Sequence, residues 1–75
     1  MIEALKRAVE LAGGQSSLAK SIGVKQQHVW NWLNRDGKAA ADRAILIERA
    51  TGGQVTRYEL RPDVFGEPPH EEAAA

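Results

Sequence analysis

The chain has 75 residues, 43% hydrophobic and 27% charged, with ten Lys/Arg balanced by ten Asp/Glu; such a length suits one small domain that buries only ~60% of its unfolded surface, too thin a core for a deep substrate pocket. It has no cysteine and two histidines, which excludes disulfides and thiolate-bound zinc and argues against a structural metal; no cofactor is expected. No apolar run approaches the ~20 residues of a membrane span and no signal peptide precedes the first helical pattern, so a small cytoplasmic protein with no membrane partner is expected.

Helical periodicity then runs along the chain. Ile2, Leu5, Val9 and Ala12 form an apolar stripe on a first helix, and Gly13-Gly14 stops it. A short second helix starts at Gln15 or Ser16, with Leu18, Ala19 and Ile22 on its buried side, and Gly23 breaks it. A third begins near Lys25 and turns Val29, Trp32 and Leu33 inward, while Asn34-Arg35-Asp36-Gly37 reads as a turn. The run from Ala39 to Ala50 holds five alanines and favours helix, closed by Gly52-Gly53. Thr56-Arg57-Tyr58-Glu59 fits a capping box, and Pro62 limits the helix that starts there to about one or two turns. Val55, Leu60, Val64 and Phe65 are expected to form a strap that completes the core. Residues 67–75 lack a large apolar anchor and read as a flexible acidic tail behind a domain spanning 1–66. No run of β-branched residues with period two occurs, so the fold class is all-α, with about four to five short helices.

The stretch from Gln15 to Leu33 carries the functional signal. Ala19 lies four residues before Gly23, where a small side chain lets two helices cross closely. Gly23 sits at the turn, where positive φ favours glycine. Val29, Trp32 and Leu33 would fasten the second helix of the pair against the first and against the domain's first helix. This is the pattern of a helix-turn-helix. The segment Gln-Ser-Ser-Leu-Ala-Lys-Ser-Ile-Gly-Val-Lys-Gln-Gln-His-Val-Trp-Asn-Trp-Leu resembles the DNA-binding motif of phage and bacterial repressors. Glu48-Arg49-Ala50-Thr51-Gly52-Gly53 and the stretch from Val55 to Gly66, with Leu60-Arg61-Pro62-Asp63 inside it, resemble the C-terminal half of YdaS-type, Cro-like regulators. The resemblance covers residues 11–66. It implies a λ-repressor/Cro-like fold of phage or prophage type and a regulator that binds operator DNA. These regulators usually carry Ser or Thr after the turn, where this chain has Lys25.

With Val29, Trp32 and Leu33 inward, the third helix presents Gln26, Gln27, Trp30 and Asn31. Such a helix reads bases with its N-terminal part, and Gln and Asn amides pair bidentately with the N6/N7 edge of adenine. Gln26, Gln27 and Asn31 are therefore the base-reading candidates. Trp30 has two readings: a half-exposed ring against thymine methyls, sugars or a partner subunit, or a core residue. For phosphate, Gln15, Ser16 and Ser17 stand at the start of the second helix, and Lys20, Lys25, His28, Asn34, Arg35 and Lys38 border the same surface. Arg43 and Arg49 are expected to pair with Asp42 or Glu48, or to stay solvated.

Overall neutrality conceals a split. Residues 1–50 hold eight Lys/Arg against five acids, and residues 51–75 hold two against five. A basic body permits attraction to phosphate on one face. The first expectation is a nucleoid-associated DNA-binding regulator, and the alternative is an antitoxin-like or protein-interaction module with a toxin partner and little DNA affinity. Ile45, Leu46 and Ile47 are more consecutive apolar residues than one core face hides, so self-association as a homodimer or higher oligomer, with Tyr58 or Phe65 taking part, and plain burial both stand open. An enzyme is not expected. No nucleophile, base and orienter converge here, because His28 lies on the outward helix face and His70 in the tail.

Overall fold

The computed structural model describes residues 1–68. Six α-helices follow in order: α1 (Ile2–Ala12), α2 (Gln15–Ile22), α3 (Gln26–Asn31), α4 (Ala41–Ala50), α5 (Arg57–Leu60) and α6 (Pro62–Phe65). No strand occurs among the described residues. The expected acidic tail lies, from residue 69 onward, outside them.

One core serves all these elements. Leu5 and Ala8 of α1 meet Leu18, Ala19 and Ile22 of α2, Val29 of α3, Ala44 and Ile47 of α4, and Val55 and Leu60 of the strap. The apolar stripe of α1 is real but shifted. Leu5 and Ala8 are fully buried, while Ile2, Val9 and Ala12 pack at its margin. At the end of α1 the Gly13 and Gly14 amides donate to the Glu10 and Val9 carbonyls, 3.1 and 2.9 Å, which stops the helix as expected.

Gly23 ends α2 in the left-handed region, φ 73°, with its amide on the Ala19 carbonyl. A Cβ built at Gly23 would meet nothing within 4 Å. The turn therefore needs glycine for its backbone angle, not for space. Ala19, 2% exposed, supplies the close approach between α2 and α3.

Two expectations about the middle of the chain are corrected. Asn34-Arg35-Asp36 is not a turn. The helix continues from α3 as a π-helical segment over Trp32–Asp36 and ends only at Gly37, φ 73°. The Asn34 amide donates to the Trp30 carbonyl at 3.0 Å, the i−4 acceptor of a regular α-helix, so the side chain takes a carbonyl that the wider helix leaves free. The alanine run also starts its helix late. Ala39 and Ala40 are outside α4, Ala40 is extended (φ −63°, ψ 136°), and the Ala39 carbonyl accepts from Arg61 Nη1 at 2.9 Å. Alanine favours helix, but propensity is a small bias that tertiary contacts such as this hydrogen bond override.

The strap holds the expected capping box. Glu59 N–H donates to Thr56 Oγ1 (3.2 Å) and Thr56 N–H donates to Glu59 Oε2 (3.0 Å). Pro62 both limits α5 and opens α6 as its first residue. Val55 and Leu60 are buried and Phe65 packs on the core. Val64 does not: it is 52% exposed, because a single-turn helix aligns only part of its surface with the core. Of the three apolar residues on α4, Ile47 is buried and Leu46 packs on the core, which leaves half-buried Ile45 outside the core cluster.

Candidate nucleic-acid interface

The α2–turn–α3 unit turns Val29 and Trp32 into the core and leaves one outward face. Gln26, Gln27 and Trp30 are exposed there and Asn31 is half-buried. Trp30 is 45% exposed, against the core reading of that ring.

The amides on this face are ordered in pairs. Gln26 Nε2 donates to Gln15 Oε1 across the hairpin at 2.8 Å. Gln27 Nε2 donates to Asn31 Oδ1 one turn further along α3 at 3.1 Å. Each carboxamide carries two N–H donors and one carbonyl acceptor. Gln26 thus retains one N–H and its carbonyl, and Gln27 retains the same set. That is the donor–acceptor pair that matches the N6/N7 edge of adenine. The second role of Gln15, as a brace for Gln26, was not anticipated. Its only sequence signal is a glutamine at the first position of each helix of the hairpin.

The phosphate candidates fall into three groups. Ser16, Ser17, Lys20, Lys25 and His28 are exposed on or beside the hairpin, and neither lysine has an ion-pair partner among the described residues. Asn34 and Arg35 are exposed but engaged: Asn34 with the Trp30 carbonyl, Arg35 with Asp36 at 2.9 Å. This pairing raises Arg35 above its ordinary pKa and holds Asp36 below the usual carboxylate range. Lys38 stands apart, beyond the end of the π-helical segment, in a recess shared with Trp32, Asp36 and Arg61. Lys25 is the N-cap of α3, extended at φ −80°, and its side chain caps nothing.

Arg43 lies 3.7 Å from Asp42, as expected. Glu48 instead pairs with Arg57, whose backbone N–H and Nε both donate to Glu48 Oε1 at 2.8 and 2.9 Å, and these bonds hold Glu48 below the usual carboxylate range. Arg49 is left exposed. Among the described residues no group of three or more His, Cys, Asp or Glu could hold a metal ion, and no helix is long and apolar enough to cross a membrane.

Residues 5–69 match the protein family described as "Bacterial toxin YdaS". The chain belongs to the YdaS family. It is 42% identical over 59 residues to a protein of Escherichia coli (strain K12) named "Putative transcriptional regulator YdaS". That match covers 79% of this chain and 60% of the relative, so the chain spans less than two thirds of the relative's length. Among solved structures, it superposes with a TM-score of 0.80 and 47% identity on the "Cro protein from putative prophage element Xfaso 1 in Xylella fastidiosa strain Ann-1", covering 85% of this chain and 97% of the other. The chain therefore has the Cro-like fold, as the resemblance implied.

Proposed function

We infer that this YdaS-family protein is a sequence-specific DNA-binding transcription regulator that lays α3 in the major groove. The observation that carries the reading is the pair of ordered amides, Gln26 on Gln15 and Gln27 on Asn31, at the outer end of a helix anchored by Val29 and Trp32. Gln26 and Gln27 read adenine edges, Asn31 sets the second glutamine and offers its own amide, and Trp30 covers thymine methyls or sugar. Gln15, Ser16 and Ser17 meet one backbone at the start of α2, and Lys20 and Lys25 are charged contacts to the phosphates bordering the hairpin. Asn34, Arg35 and Lys38 take a lesser part, because each is engaged with or close to other groups of the chain. The Cro-like fold and the name of the E. coli relative support a regulator.

One hairpin of this size covers limited DNA, and such proteins commonly read half-sites as dimers one helical turn apart. The test is selection of bound duplexes from a random pool at two salt concentrations. A recovered site containing adenine contacts, bound more weakly at higher salt, supports the reading. Recovery of no preferred sequence would end it in favour of the antitoxin-like or protein-interaction module, to which the toxin description of the family and the neutral net charge lend what support there is.

A further inference from the structure

A cleft of about 560 Å³ opens between α3 and α4. Trp32 forms its floor, Lys25 and His28 border it from the hairpin, and Asp42 and Arg43 border it from the first turn of α4. Three cationic or basic side chains from two different helices thus face one space, and a single carboxylate opposes them. None of the roles given above to the outward face uses Arg43.

The placement of this cleft on α3 gives it meaning. At 3.6 residues per turn, Gln26 and His28 project about 200° apart around the helix. Gln26 reaches Gln15 at the start of α2, so His28 and the cleft lie on the opposite flank. The major groove is just wide enough for a helix and is walled by one phosphate backbone on each side. A helix seated there with the start of α2 against one backbone presents its other flank, and hence this cleft, to the second strand.

We propose that the α3–α4 cleft receives a backbone phosphate of the second DNA strand, with Arg43 as its main cation and His28 and Lys25 beside it. This rests on α3 being the groove-reading helix. Arg43 keeps 40% of its side chain exposed, and its neighbour Asp42 is 75% exposed at 3.7 Å, loose enough to yield to a phosphate. Asp42 then competes with the phosphate for the same guanidinium.

The test uses the full chain and a duplex recovered from the random pool. With wild type, ethylation of single phosphates should block binding at positions on both strands. Arg43→Gln should lose the block on the second strand alone, bind three- to tenfold more weakly, and flatten the slope of log affinity against log salt by about 0.9. Arg43→Lys should keep the slope, and Arg49→Gln, at the far end of the same helix, should change nothing. Asp42→Asn should tighten binding two- to threefold, and it carries the test alone if Arg43→Gln melts early. Wild-type affinity, slope and two-strand pattern in Arg43→Gln, with no gain in Asp42→Asn, would overturn the proposal. The base-reading account would still stand if Gln26→Ala and Gln27→Ala lose binding. Inorganic phosphate replacing chloride at constant ionic strength should compete weakly with DNA for wild type and lose that effect in Arg43→Gln; competition equal in both proteins would count against the cleft.

Discussion

The α2–α3 hairpin and the C-terminal strap are both rich in polar residues, and they use them in opposite ways. In the strap the charges are matched within the protein: Arg57 with Glu48, Arg61 with Asp63, and Glu59 with Arg7. Thr51, 6% exposed, donates to the Glu48 carbonyl and accepts from the Val55 amide. On the hairpin, Lys20 and Lys25 have no ion-pair partner among the described residues, and the amides are paired with one another yet still offer donors and acceptors outward. The overall neutrality of the chain therefore does not mean a neutral hairpin. Acids such as Glu59 and Asp63 are occupied with their own arginines and do little to offset the lysines near α3. Polar groups satisfied internally hold a fold; those left half-satisfied at a rigid surface await a partner.

The sharpest way to break this contrast is to remove polar groups from each region and compare the damage. Gln26→Ala with Gln27→Ala should leave the melting temperature within about a degree, since both side chains are exposed. Operator affinity should fall strongly, because each bidentate base contact is worth ~1–3 kcal/mol, or roughly five- to 150-fold. Equal loss of stability and binding would show that these amides belong to the fold.

Arg61→Leu should do the reverse. Arg61 is held by Asp63 through two bonds, Nε to Oδ1 at 2.9 Å and Nη2 to Oδ2 at 2.8 Å, which frees Nη1 for the Ala39 carbonyl. Losing a charged hydrogen bond to a part-buried carbonyl costs about 1–3 kcal/mol, and for a domain of this size each kcal/mol lowers the melting temperature by roughly 4–8 °C. Binding per folded molecule should stay unchanged. Acid sharpens the same point. Arg61 holds the Asp63 carboxyl down to about 2, so its contribution is complete above the ordinary carboxylate value of ~3.9 and is lost as pH falls through about 2. Glu48, lowered by Arg57, adds to the loss in the same direction. The gap in melting temperature between wild type and Asp63→Asn should thus narrow from pH 5 towards pH 2; a constant gap would show that Asp63 acts by packing rather than charge.

This division also explains what could be read from the residues alone. Helix order, the buried faces of α2 and α3, the turn at Gly23 and the Thr56–Glu59 box follow from local rules, since periodicity, positive φ and capping each act over a few residues. Arg61 was legible only as part of a family pattern. Its partner Ala39 lies 22 residues away and no local rule joins them. The same bond delays the start of α4. Asn34-Arg35-Asp36 has the composition of a turn, yet the chain runs through it as a π-helical segment, with the Asn34 side chain on the Trp30 carbonyl that an α-helical N–H would use. At the interface, residue types gave the outward amides but not their pairing, and Arg43 looked like a solvated or ion-paired charge until Lys25, His28 and Trp32 were seen across the same cleft.

Gly23 tests how rigidly the hairpin must be held. Space around it is open, so Gly23→Ala isolates the backbone cost of the left-handed region, ~1–2 kcal/mol. Gly23→Val adds β-branching and should destabilise further, whereas Gly23→Asn should cost less than alanine, because asparagine tolerates this region better. Thermal melts of the three variants would rank them. A wild-type melt for Gly23→Val would remove the strain argument altogether.

The smallest effects separate free charge from paired charge within the hairpin itself. Each lysine that neutralises a phosphate contributes about 0.9 to the slope of log affinity against log salt. Lys20→Gln and Lys25→Gln should each flatten that slope by nearly this amount, on specific and random duplexes alike. Arg35→Gln should flatten it by much less, since Asp36 at 2.9 Å already answers most of the guanidinium's charge and repels an approaching phosphate. Asp36→Asn should then steepen the slope by freeing Arg35. If Arg35→Gln and Lys20→Gln prove equal, the Arg35–Asp36 pair opens on contact with DNA, and charges paired in the free protein must be counted among those available to the partner.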